Sequence, residues 1–318
     1  MRPRIIFGVF SATQQAGTVA QLADSLAPHT VIVHHDFGKK ADFQVWGPNV
    51  RVIPDPCDTG WGAWGFSESI FHTMRYCLEN FDFDYFQPLS PTCLPVRPIA
   101  HLERRVQDDP ADYHADMFPV DRDEDTLMTF GYRTYVPGAS LRYRLLSRAR
   151  YWYFGPDAPL LQTASLSVLS LPEERRGAEP SALMRLGTAL TRSAARGWLG
   201  RHPFGSKLRP MIGSTWIGMR PQVVEYVVKM RDDPRVEGFF KQLRIVDETL
   251  FSTLLGNSPF RRGHSNHAIN DFNAAGNPRW IDEGDLDRLV AAGRQFARKF
   301  PDDPQAPVRQ RAVALTRG

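Results

Sequence analysis

The sequence predicts an α/β protein built on an open sheet with parallel neighbours, and three observations carry that reading. Short buried-strand runs recur at residues 4–10, 30–34, 49–53 and 85–89. Helical periodicity fills the gaps between them, with Val19, Leu22 and Leu26 on one face of residues 18–26 and Ile70, Met74 and Cys77 in register over 67–78. Strand, helix, strand at this spacing is the unit that lays strands side by side in parallel. In such sheets ligands sit at the carboxyl ends of strands, which directs attention to His35-Asp36 and to residues 90–94.

The remaining elements follow in order. Residues 106–210 alternate acidic turns, arginine- and aromatic-rich stretches and scattered proline and glycine, and read as strands and loops shaped for one substrate. A strand over 214–219 and a helix over 221–230 come next, then a helix opened by Asp247. A last helix over 283–300 is stopped by Pro301, and the polar stretch 301–318 reads as a flexible tail. The expected organisation is one domain over 1–300: a nucleotide-binding half (1–105), a variable acceptor-side region (106–210) and a catalytic half (211–300).

Composition narrows the function classes. With 318 residues and 42% hydrophobic content the chain can bury a substantial core, and 23% charged residues is ordinary for a folded protein. A formal charge of +4, mixed with acidic turns and without a recognised binding motif, argues against a nucleic-acid partner. The cations are mostly arginine, the lysines being Lys39, Lys40, Lys207, Lys229, Lys241 and Lys299. That bias fits forked recognition of an anion, and it equally fits arginine-favouring codon usage. Cys57, Cys77 and Cys93 give no disulfide framework and no metal-ligand spacing among themselves. The N-terminus lacks a signal-peptide pattern, and no run approaches the roughly twenty apolar residues of a membrane helix. A cytoplasmic protein is expected, with at most peripheral contact to the membrane.

Four local patterns bear on chemistry. Asp247 and Glu248 open an apolar helix carrying Leu250, Phe251, Leu254 and Leu255. Asp247 reads as the N-cap and Glu248 as the first helical residue; the pair either caps the helix or supplies a general base. Gly213-Ser214-Thr215-Trp216 reads as a strand start whose small residues admit a ligand, with Trp216 stacked on a sugar or packed in the core. Asp82-Phe83-Asp84 formally matches a metal-holding Asp-x-Asp motif, but it precedes the fourth strand and so lies at the wrong end of it. His34 and His35 do not make a metal pair, because adjacent strand residues face opposite ways.

In their sequence order these pieces resemble the core-2/I-branching glycosyltransferase family (family 14-like), which holds β-1,6-N-acetylglucosaminyltransferases and peptide O-xylosyltransferases. The matching stretches are the opening strand and helix, Val33-His34-His35-Asp36 with Lys39-Lys40, Trp64-Gly65 with Ser67, and residues 85–90 with Leu94-Pro95. Gly213-Ser214-Thr215-Trp216, Asp247-Glu248-Thr249 with Asn257-Ser258, and Phe296-Ala297-Arg298-Lys299-Phe300 complete the set. Together they span roughly 1–100 and 211–300 and leave the middle third without the pattern. The resemblance implies a GT-A-type fold and inverting transfer from a UDP-sugar, N-acetylglucosamine first and xylose second, to a hydroxyl of a glycan or glycoconjugate. It implies Glu248 as catalytic base and Lys299, with Arg298 and Arg279, on the donor diphosphate. Asp36 would hold the uracil, and Ser214, Trp216 and Trp64 would contact sugar or acceptor. No divalent metal or other cofactor is expected, since the stretch after the fourth strand, Ser90-Pro91-Thr92-Cys93, has no carboxylate. The alternative of another class is a non-catalytic carbohydrate- or nucleotide-binding protein.

Overall fold

The computed structural model describes residues 2–120, 160–169, 203–274 and 276–316, together with positions 141, 144, 148, 182 and 186. The expectation for 106–210 therefore falls mostly outside the described residues. The elements run β1 (Ile5–Ser11), α1 (Ala16–Ser25), β2 (Thr30–His35), β3 (Val50–Val52), α2 (Trp64–Asn80), β4 (Tyr85–Leu89), β5 (Leu94–Pro95), α3 (Ala100–Asp108), β6 (Tyr113–His114) and β7 (Met117–Pro119). Then come β8 (Leu160–Gln162), β9 (Ser167–Leu169), β10 (Met211–Gly213), β11 (Gly218–Met219), α4 (Pro221–Arg231), α5 (Pro234–Phe240) and α6 (Asp247–Gly256). The chain closes with β12 (Arg262–Gly263), β13 (Ala268–Asn270), α7 (Glu283–Ala291), β14 (Phe296–Arg298) and α8 (Pro307–Thr316).

The fold is mixed α/β with a mostly parallel central sheet. Its seven strands lie in the order β12-β6-β11-β4-β1-β2-β3, with β3, β2, β1 and β4 parallel and β11 antiparallel to β4. Both faces of β1, β2 and β4 are covered, so these strands are buried almost throughout and their apolar residues are split by strand alternation. Ile6, Phe10, Ile32 and Phe86 face one cluster with α2, α4, α5 and α6. Ile5, Phe7, Val9, Val31, Val33 and Leu89 face another with α1, α7, α8 and β14. Gly8 is needed between them, because a Cβ there would collide with the Phe86 ring. A smaller sheet, β13-β14-β5, stands beside the carboxyl end of β4.

Four expectations about elements are corrected. The helix over 283–300 ends with α7 at Ala291, and Gly293, at a φ of 77°, turns the chain into β14. The strand over 214–219 divides: Gly213 ends β10 instead of starting a strand, and residues 214–217 connect it to β11. Asp247 is not an N-cap; that position belongs to Val246, and Asp247 is the first residue of α6. The supposed tail contains α8, whose Arg309 is wholly buried and tied to Gln21, Thr18, Pro91 and Pro301. Its side chain follows Val308 and precedes Ala312 and Val313 on the packed face, a pattern too short and too polar to read as a helix from sequence.

Buried histidines give the fold an acid limit. Burial lowers the pKa of His29, His114 and His267, and that of His34 to about 4. An unfolded His34 takes its proton near pH 6.5, whereas the folded one stays neutral until about pH 4. The unfolded state therefore binds more protons in that window, so stability is complete above pH 6.5 and is lost as pH falls toward 4. His34 alone contributes a loss of about 3 kcal/mol. Urea midpoints measured from pH 7 to pH 4 are expected to fall steadily; a flat profile contradicts this.

Candidate active site

The carboxyl ends of β1 and β2 meet at Asp36, whose N–H donates to the Ser11 carbonyl. The Asp36 carboxylate is buried, which favours its neutral form, but three donors outweigh that: the Thr59 hydroxyl, the Thr59 N–H and the Gly38 N–H. The pKa is accordingly lowered and the side chain is an ionised acceptor. Two carboxylate oxygens offer about four acceptor sites, so one remains beyond the three in use.

A second group forms where α6 begins. Gly213 lets β10 approach α6 closely, since a Cβ would run into Ser252, and Thr253 fixes β10 by accepting from the Met211 N–H. Two residues past Gly213, the Thr215 hydroxyl donates to the Asp247 carboxylate, so Asp247 ties the connection between β10 and β11 to the start of α6. Ser214 is buried and accepts from Asn266, while Trp216 accepts at its carbonyl from Gln87 of β4. Before α6, Ile245 sits at a φ of 52°, with its N–H bonded to the carbonyl of Gly62 at 2.6 Å. A β-branched residue held there carries roughly 1–2 kcal/mol of strain, of the kind that clusters at working sites.

Arg298 completes this group. Pairing of β14 with β5, and a bond from the Phe300 N–H to the Thr92 carbonyl, bring residues 298–300 against the loop after β4. The Arg298 guanidinium lies 4.9 Å from the Trp216 ring centroid, a cation–π contact. Burial lowers its pKa, and Cys93, Glu248 and Asp247 act against that shift. Its Nη1 reaches Asn270 at 3.5 Å, and its Nε is buried with no hydrogen-bond partner among the described residues. An unmet buried donor of this type costs about 1–3 kcal/mol, which an anionic ligand would recover.

Next to it, Lys299 holds its ammonium 4.0 Å from the ring centroid of Trp280, a half-exposed residue. Burial, then repulsion from Arg298, lowers the Lys299 pKa. Arg279 is placed differently from a phosphate-binding residue. Its guanidinium is taken up by Asp271 and Asp285, which Arg288 also engages at 2.8 and 3.2 Å. The hydrogen bond to Asp285 raises its pKa.

The structure thus brings together Glu248, Asp247, Trp216 and Arg298, with Lys299 next to Arg298 and the Ser214 hydroxyl accepting from the Trp216 N–H. Trp64 lies apart: its indole donates to Glu68, which is paired with Arg231 of α4, and it packs on the α2 side of the sheet. Asp82 and Asp84 pair with Arg4 at the amino end of β4, away from these residues. Sequence reasoning did not select Thr215, Asn270, Cys93 or Trp280. Trp280 was the one within reach, being a large apolar residue in a polar turn.

No family profile matches the sequence, and no curated protein matches it. Among solved structures, the chain is similar to a galactosyltransferase, LgtC, in complex with donor and acceptor sugar analogues, at 13% identity and a TM-score of 0.24. That match covers 42% of this chain and 55% of the other, about half its length. At this level the likeness says nothing of substrate or mechanism.

Proposed function

We propose that the chain is an inverting glycosyltransferase of GT-A type that moves a sugar, N-acetylglucosamine first among candidates, from a UDP-sugar to an acceptor hydroxyl. The observation that carries this reading is the partly unbonded Arg298 guanidinium between the Asp247-Glu248 start of α6 and the Trp216 ring. Inversion needs one carboxylate to accept the proton of the attacking hydroxyl, and no enzyme nucleophile. Glu248, half-buried at the first turn of α6, takes that role, while Asp247 is committed to Thr215. The UDP leaving group gathers negative charge as the bond to sugar breaks. Arg298 and Lys299 supply the opposite charge, preorganised by Trp216 and Trp280. Asp36 accepts from the uracil N–H at the carboxyl end of β2. Arg279 contributes by fixing the 279–281 segment beside Lys299, through the Ile281 N–H bond to the Lys299 carbonyl, more than by contacting phosphate.

Replacing Arg298 with Gln removes charged hydrogen bonds to the diphosphate, and UDP affinity measured by calorimetry is expected to fall about 10- to 100-fold. Unchanged affinity would remove Arg298 from the donor site. Release of UDP from UDP-N-acetylglucosamine and UDP-xylose, followed with and without EDTA, tests the reading as a whole. The expected result is turnover with one of these donors that EDTA does not abolish. Activity lost in EDTA and restored by manganese would overturn metal-independent chemistry, and no turnover with either donor would favour the binding-protein alternative.

A further inference from the structure

Away from the Glu248–Arg298 group, His34 on β2, Cys57 in the loop before α2 and His72 on α2 converge. One ligand atom from each lies within 4.8 Å of the others. The Cys57 sulfur is 3.4 Å from His34 Nε2, and a zinc ion bound tetrahedrally by one sulfur and one imidazole nitrogen holds them about 3.5 Å apart. His34 and His72 stand edge to face with ring centroids 5.7 Å apart. His34 is fully buried, and its Nδ1 has no hydrogen-bond partner among the described residues, so this ring is not held as a structural histidine bonded at both nitrogens. Cys57 and His72 are half-buried, which leaves an approach from solvent.

We propose that His34, Cys57 and His72 form a zinc-binding site that pins the loop before α2 to β2 and α2. Two imidazoles and one thiolate make a three-ligand set, and water fills the fourth position. Burial, then Glu68, raises the Cys57 thiol to about 11, so in the metal-free protein it is protonated at neutral pH. Binding breaks the S–H bond, forms Zn–S and releases one proton to solvent, so affinity rises with pH. The Cys57 N–H, which donates to His34 Nε2 without the ion, gives up that acceptor when the ion takes it.

The consequence is architectural. The same loop is fastened at Thr59 to Asp36 and at Gly62 to Ile245, just ahead of Asp247 and Glu248. Between the last two anchors Trp61 is exposed and stacks with Arg244 at 5.1 Å. An ion at Cys57 would replace its hydrogen bonds to His34 with a metal bridge to both β2 and α2, at one end of the strap that runs from the end of β2 to the start of α6. This site stands on its own residues and does not depend on the proposed transfer reaction.

The test uses the full chain loaded with zinc or cobalt and then desalted. One zinc per chain by elemental analysis is expected, with thiolate-to-cobalt absorption in the near ultraviolet and a higher melting temperature than the metal-free protein. Cys57→Ser should abolish the absorption and the retained zinc, His72→Gln should weaken both, and Cys77→Ala should keep them. His72 lies on a half-buried helix face, so its variant keeps the question open to decision should Cys57→Ser fail to fold. The proposal is overturned if the wild type retains no zinc, or if both ligand variants retain it as the wild type does.

Discussion

Glu248→Gln is expected to lower turnover of the UDP-sugar about 10²- to 10⁴-fold while leaving UDP binding intact. The amide preserves size and one hydrogen-bond acceptor but cannot take a proton from an incoming hydroxyl. Glu248 sits in the first turn of α6, where its carboxylate is also favourable to the helix dipole, so removal of its charge costs at most about 1 kcal/mol of stability. That asymmetry separates the two roles open to an acidic residue at a helix start: a cap or dipole partner moves the melting temperature slightly, and a base moves the rate by orders of magnitude. Steady-state UDP release and calorimetric UDP binding, measured on the same preparations, distinguish them. Rates equal to wild type would return Glu248 to a structural role.

Arg309→Leu is expected to destabilise the protein by about 3–5 kcal/mol, a fall of roughly 10 °C in melting temperature. Arg309 is wholly buried, and burial lowers its pKa to about 10. It donates to Gln21 at 2.7 Å and to the carbonyls of Pro301, Thr18 and Pro91 at 3.1, 3.3 and 3.4 Å. Leucine fills much of the space but leaves those acceptors dry and unpaired, which is the costly half of a broken buried network. The Pro91 contact also bears on the site, because Pro91 lies in the loop after β4 whose Thr92 carbonyl receives the Phe300 N–H. Thermal melts check the first effect. Truncation before residue 307 should reproduce it, whereas a truly loose tail could be removed without consequence.

Much of the fold was legible because its signals are local. The parallel strands are short apolar runs separated by periodic helices, and β4 fell at residues 85–89 as read. The misreadings came where tertiary contacts override local pattern. A helix continued through 283–300 was stopped by Gly293 in a left-handed turn and by pairing of β14 with β5. Arg309 marks α8 as anchored chiefly through partners far away in sequence, Gln21, Thr18 and Pro91. For the proposed site, order along the chain singled out Glu248, Arg298 and Lys299, and the fold sets Arg298 over Trp216 within the field of Glu248 and Asp247. Trp64 and Glu68 are an i,i+4 pair within α2, but the engagement of Arg279 by Asp271 and Asp285 depends on loop geometry that no spacing encodes. His34, Cys57 and His72 were missed for the same reason: the three come from a strand, a loop and a helix, with no motif joining them.

The anomeric configuration of the transferred sugar tests the central claim most directly. Proton NMR of the product first formed from α-linked UDP-N-acetylglucosamine should show the β configuration, as one displacement assisted by one carboxylate requires. An α product would require an enzyme nucleophile or a different mechanism and would contradict the role assigned to Glu248.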